Sequence, residues 1–160
     1  MAAGKSVVGQ RLAQRMRRRF VDLDQSIEER EGMEVRAIFE RKGEAYFRKA
    51  EKEVLREVLR QEGLVIATGG GTVVDEENLR LLKRKSLLIC LTAPPETLFQ
   101  RAGSGPGRPL LQGDSQEERL KELLRQRGRA YAQAHLSIET GALSVDEVVE
   151  EILKRLDAYG

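Results

Sequence analysis

Three groups of residues in this chain have the types and spacing that chemistry on a phosphate needs. Near the start, Gly4-Lys5-Ser6 matches the tail of the phosphate-binding loop G-x-x-x-x-G-K-[ST]. There the lysine amine neutralises the β- and γ-phosphates of a nucleotide, and the serine hydroxyl ligates magnesium. Asp22 and Asp24 alternate near the end of an apolar stretch. If a strand runs through both, their carboxylates point to one side of the sheet. The competing reading makes Asp24 a helix N-cap ahead of Ser26 and Glu28. Gly69-Gly70-Gly71 follows the apolar run Leu64–Thr68. Each glycine gives up roughly 0.5–1 kcal/mol of chain entropy, so a run of three implies a close approach to the backbone.

Arginines form the last group. Arg127 shares a helix face with Leu120, Leu124 and Tyr131. A guanidinium on a core-directed face can clamp a ligand carboxylate in a bidentate pair, whereas snorkelling to solvent is its ordinary fate. Arg48 follows Phe47 and precedes Glu51 by three. It is a second candidate, with a surface ion pair to Glu51 as the alternative. The segment AGSGPGRPLLQGDS, residues 102–115, sets Arg108 between glycines and Pro109-Leu110-Leu111. Such a loop can act as a lid that excludes water and carries a cation to a reacting phosphate.

These residues need elements to hold them. Val8, Leu12, Ala13 and Met16 recur at helical spacing, so Gly-Lys-Ser opens a helix. A short strand Phe20–Leu23, ending at Asp24, is expected next. Phe47, Ala50, Val54, Leu55, Val58 and Leu59 mark an amphipathic helix closed by Gly63. Strand Leu64–Thr68 is followed by a helix from its cap at Asp75 to Lys85, and then by strand Ser86–Leu91. Pro94-Pro95 start another helix, and the Leu120–Tyr131 helix, strand Leu136–Thr140 and helix Val145–Leu156 complete the order. Strands alternating with helices, two of them apolar throughout, predict a parallel sheet inside a three-layer α/β/α sandwich. In such sheets ligands bind beyond the carboxyl ends of the strands, where all the candidate groups fall.

A chain of 160 residues fits one domain, here residues 1–160. With 34% charged residues but a net charge of only +2, no strong field calls for nucleic acid or membrane. The basic run Arg15–Arg19 is read as a helix end, since no aromatics stand beside it to stack on bases. Cys90, the one cysteine, is read as inert strand packing, and His135, the one histidine, as a helix-end residue without chemistry. No apolar run reaches membrane-spanning length and no signal-peptide pattern opens the chain, so a cytoplasmic protein is expected.

Taken together, the motifs GKS, FVDLD, IFERKGEAYFRKAE, ATGGG, RPLL and RQRGRAYAQA resemble shikimate kinase along essentially the whole chain. That resemblance implies a P-loop kinase fold of the nucleoside monophosphate kinase type and transfer of the γ-phosphate of ATP to the 3-hydroxyl of shikimate. It implies that Gly4, Lys5 and Ser6 bind ATP phosphates, that Ser6 and Asp22 serve magnesium, and that Asp24 holds the shikimate hydroxyls and is the candidate proton acceptor. Arg48 and Arg127 match the arginines on the shikimate carboxylate, with Glu51 orienting them. Gly70 and Gly71 line that pocket beside Phe39 and Phe47. Arg108 matches the lid arginine and Arg101 the arginine packed on adenine, while residues 24–51 form the substrate-binding subregion. ATP and shikimate are the expected partners of a monomer.

The chain departs from the family pattern at Val7, where threonine is usual, and at Ala2, where glycine is frequent. By the spacing of the loop motif, its leading glycine falls two positions before Met1. The expectation is that the start was set at an internal methionine, with the first strand upstream of it. The other readings are a gluconate kinase-like enzyme of the same fold and a nucleotide-binding protein without catalysis. The altered loop favours the latter, while the retained Asp24, Arg48, Arg108 and Arg127 oppose it.

Overall fold

A computed structural model describes residues 4–98 and 116–159. Helix α1 (Lys5–Met16) leads into β1 (Arg19–Asp22), three helices α2 (Leu23–Glu31), α3 (Val35–Lys42) and α4 (Glu44–Val58), and β2 (Leu64–Ala67). A 3-10 turn (Thr72–Val74) and α5 (Glu76–Lys85) precede β3 (Ile89–Thr92). Beyond it come α6 (Gln116–Tyr131), β4 (Leu136–Glu139) and α7 (Val145–Tyr159). The lid segment, Arg101 and Arg108 lie outside the described residues.

The four described strands form two parallel pairs, β1 with β2 and β3 with β4. Asp22 stands opposite Ala67 in the first pair, so the chain leaving β1 meets the chain leaving β2. Alternation along β2 decides the layering. Leu64 and Ile66 pack into a cluster built by α2, α3, α4 and α5, whereas Val65 packs with Val8 and Leu12 of α1 and Val148, Val149 and Ile152 of α7. Successive side chains of a strand point to opposite faces, so helices cover both sides and the sandwich has three layers. Ile89 and Leu91 of β3 join the α1–α7 cluster, which therefore touches both pairs. Gly9 permits that approach, because a Cβ there would lie 2.6 Å from the Phe20 ring. No helix among the described residues is long and apolar enough to cross a membrane.

Several boundaries differ from the sequence-based expectation. Strand β1 stops at Asp22, whose carboxylate accepts the Gln25 N–H at 3.2 Å. Asp22, not Asp24, is therefore the N-cap, and Asp24 sits in the first helical turn rather than on a strand. Helix α4 ends at Val58, and Gly63 (φ 70°) instead shapes the turn into β2. Strand β3 starts at Ile89 because Ser86 is spent on capping α5, its hydroxyl donating to the Leu82 carbonyl at 2.6 Å. The Leu88 N–H is likewise taken by His135 Nδ1 at 2.9 Å, so the histidine has a structural partner. The strands read as apolar throughout are only partly buried, β3 along its whole length. Cys90 is a free thiol whose pKa burial pushes up.

Candidate active site

The phosphate end is built where α1 and β1 begin and end. Gly4 adopts a left-handed conformation (φ 82°) that turns the chain into α1, a step an ordinary residue takes at a cost. The first turn of α1 carries no acidic residue of its own, and the N–H groups of a helix start favour an anionic ligand. Ser6 Oγ donates to Asp22 Oδ2 at 2.5 Å, tying the mouth of α1 to the end of β1. Lys5 is close enough to Asp24 to lower its pKa. Val7 is 53% exposed at the same helix mouth.

The second end is assembled around the glycine turn. None of Gly69, Gly70 and Gly71 has a positive φ, so backbone freedom is not their use. Space is. A Cβ on Gly69 would lie 3.2 Å from Asp24 Oδ1 and 3.4 Å from Glu51 Oε2, and one on Gly71 would lie 2.5 Å from Arg48 Nη2. The Gly70 carbonyl accepts the Tyr131 hydroxyl at 2.7 Å. Thus Asp24 from α2, Arg48 and Glu51 from α4, and Tyr131 from α6 all reach one turn.

The arginines differ in setting. Arg48 Nη1 donates to both carboxylate oxygens of Glu51, at 3.0 and 3.2 Å, and Glu51 is only 1% exposed. The surface ion pair that the spacing allowed is therefore a pair with a buried acid. Arg127 is 7% exposed, not snorkelled. Burial raises the Tyr131 pKa, while the charges of Arg127 and Arg48 pull it down, so both guanidinium groups approach this hydroxyl. Phe39 and Phe47 stack beside them with ring centroids 4.9 Å apart, and the Arg48 guanidinium lies 5.3 Å from the Phe47 ring centroid.

Asp24 is the perturbed acid of the site. Burial first, then the charges of Asp22 and Glu51, raise its pKa from 3.8 to about 6, against Lys5. The unfolded chain releases this proton near 3.8, so the folded state binds more protons across that window and loses stability as pH rises through it. Above the window the ionised carboxylate costs on the order of 3 kcal/mol. Asp24→Asn is therefore expected to raise the melting temperature of metal-free, ligand-free protein near neutral pH and to change it little in acid. Paired thermal melts at about pH 4 and about pH 7.5 measure this, and an equal difference at both would reject the burial argument.

Sequence reasoning singled out the glycine run, Arg48 and Arg127, but not Gly69 alone, Thr72 or Tyr131. Thr72 is fully buried, and its hydroxyl donates to Glu51 Oε2 at 2.9 Å. Tyr131 had a visible signal, since it shares Arg127's helix face. Thr72 had none, because its partner lies 21 residues away.

This geometry sets a helix mouth bearing Lys5 and Ser6 beside a turn on which Asp24 and Arg48 meet. A family model described as shikimate kinase matches residues 1–157. The shikimate kinase of Persephonella marina is 44% identical, covering 98% of this chain and 94% of that protein. That of Thermus thermophilus is 42% identical, covering 98% and 85%. Among solved structures, shikimate kinase from Acinetobacter baumannii in complex with shikimate superposes with a TM-score of 0.96 at 37% identity, covering 99% of this chain and 89% of the other. The Aquifex aeolicus enzyme does so with a TM-score of 0.87 at 38% identity, covering 99% and 93%. Likeness of this extent in both sequence and backbone settles the family: the chain belongs to the shikimate kinases.

Proposed function

We propose that this chain transfers the γ-phosphate of ATP to the 3-hydroxyl of shikimate, giving shikimate 3-phosphate and ADP. The observation that carries the reading is the meeting of Asp24 and Arg48 at the glycine turn, to which Tyr131 is hydrogen-bonded from the helix that also carries the buried Arg127. A small ring acid with hydroxyl groups needs just this combination of guanidinium clamp and carboxylate acceptor.

In this reading Arg48 and Arg127 bind the ring carboxylate, Gly70 lets the ring lie close to the backbone, and Gly71 leaves room for the Arg48 guanidinium. Asp24 accepts a hydrogen bond from the 3-hydroxyl and takes its proton as the oxygen bonds to the γ-phosphorus and the bond to the β-phosphate bridging oxygen breaks. Phosphoryl transfer is largely positioning and charge stabilisation, so Lys5, with Gly4 and the amides of α1, supplies the fixed charge and dipoles at the ATP phosphates. Arg108 is assigned to the transferred phosphate and Arg101 to adenine on family resemblance. Ser6 and Asp22 fit magnesium, which favours a few protein oxygens together with phosphates and water. When bound there, the ion would neutralise phosphate charge.

The test is ADP release from ATP and magnesium with shikimate, gluconate or AMP as acceptor. Turnover with shikimate alone, abolished by chelation, is the expected result. Equal turnover with gluconate or AMP would overturn the substrate assignment.

A further inference from the structure

We infer that Asn78 is a positioning residue for the carboxylate clamp, acting on Arg48 through Thr72 and Glu51. The inference rests on the proposed role of Arg48 at the shikimate carboxylate and adds what holds that arginine in place.

The links are all buried or nearly so. Asn78, in the first turn of α5, is 3% exposed, and its Nδ2 donates to the Thr72 carbonyl at 3.1 Å. Its own N–H is bound by the cap residue Asp75 at 3.0 Å, which fixes its place on the helix. Thr72 is further tied by its N–H to the Gly69 carbonyl at 3.2 Å. With the backbone held at both groups, the β-branched side chain has few rotamers left. Its hydroxyl then points at Glu51 Oε2 at 2.9 Å, and Glu51 grips Arg48 Nη1 through both oxygens.

The physics makes this more than packing. Glu51 is a buried carboxylate, and such a group must have its lone pairs met. Arg48 and Thr72 share that task, so the angle at which Glu51 presents itself to Arg48 depends on where the Thr72 hydroxyl sits. Arg48 is also 29% exposed on its side chain and is paired elsewhere only with the exposed Glu44, at 3.5 Å, among the described contacts. Among the described residues Glu51 is thus its closest ion-pair partner. Loosening Thr72 leaves the guanidinium free to swing, and a bidentate contact tolerates little misalignment.

The test uses Asn78→Leu, which keeps the branched shape at a larger volume and removes the donor, with Thr72→Val and Thr72→Ser. Asn78→Leu and Thr72→Val are expected to raise KM for shikimate about tenfold, the factor a hydrogen bond to a charged group carries. KM for ATP should stay within about twofold, because uniform binding of one substrate is what is lost. Thr72→Ser, which retains the hydroxyl, should restore KM. In the absence of substrate, nitrogen NMR of the Arg48 guanidinium should show faster rotation in the first two variants and not in Thr72→Ser. If Asn78→Leu does not fold, Asn78→Ala, which removes the donor without added bulk, takes its place with the same expected outcomes. Unchanged Arg48 rotation and unchanged KM in a folded variant would overturn the inference. Faster rotation with no shikimate-dependent turnover in the unmutated protein would instead uphold the anchoring and overturn the proposed substrate.

Discussion

Asp24→Asn is expected to slow shikimate phosphorylation by about 100- to 10,000-fold, the usual worth of a positioned general base. Asparagine keeps the size and one acceptor oxygen, so shikimate should still bind. It cannot take the proton. The setting of Asp24 favours that role over a purely orienting one. A carboxylate of ordinary acidity would be a weak base, but burial and the charges of Asp22 and Glu51 bring Asp24 to about 6. That is close to neutral pH, where a base is both ionised and strong enough to accept. It follows that kcat/KM should fall on the acid side as Asp24 takes up a proton, and that this limb should vanish from the residual activity of the variant. A kcat within about threefold of the parent at neutral pH would fall far short of that contribution and remove Asp24 from proton transfer.

The features that made Asp24 hard to place also show what a sequence can and cannot reveal. In FVDLD the apolar residues alternate, which reads as a strand passing through both acids. Leu23 is indeed fully buried, but α2 buries it, and the strand has already ended at Asp22. Periodicity over so few residues cannot separate the two. Longer patterns were decisive. The apolar stripe of α4 marked a helix, and the unbroken apolar run Leu64–Thr68 marked a strand covered on both faces, which the opposite packing of Ile66 and Val65 bears out. In the site, Arg127 stood out as a polar residue among leucines, whereas the spacing of Glu51 from Arg48 gave no sign that this acid is buried. The glycine run announced a close approach without naming what approaches. Its partners, Asp24, Glu51 and Arg48, come from α2 and α4, and Tyr131 reaches Gly70 across 61 residues. Such contacts exist only once the parallel pairing of β1 with β2 has brought two chain exits together.

That crowding at the turn leads to the second large effect, on Gly71→Ala. The backbone of Gly71 (φ −92°, ψ −5°) suits alanine, so the substitution carries no conformational penalty and even restricts the unfolded chain. Its Cβ, however, would stand 2.5 Å from Nη2 and 2.8 Å from Cζ and Nη1 of Arg48. A Cβ does not come that close to an atom it is not bonded to. The side chain that must yield is the far end of a flexible arginine, so it moves and the fold survives. Attraction to the buried Glu51 keeps the guanidinium nearby but displaced, where it no longer presents two N–H groups to a bound carboxylate. KM for shikimate should therefore rise about 10- to 100-fold, the range for losing hydrogen bonds to a charged group, with the melting temperature nearly unchanged. A double-mutant cycle separates this cause from direct crowding of the ring. In an Arg48→Ala, Glu51→Gln background, which removes the guanidinium without stranding a buried charge, Gly71→Ala should add less than about twofold to KM. If it adds its full effect there, the methyl group strikes the substrate itself, and the glycine is needed for the ring rather than for the arginine.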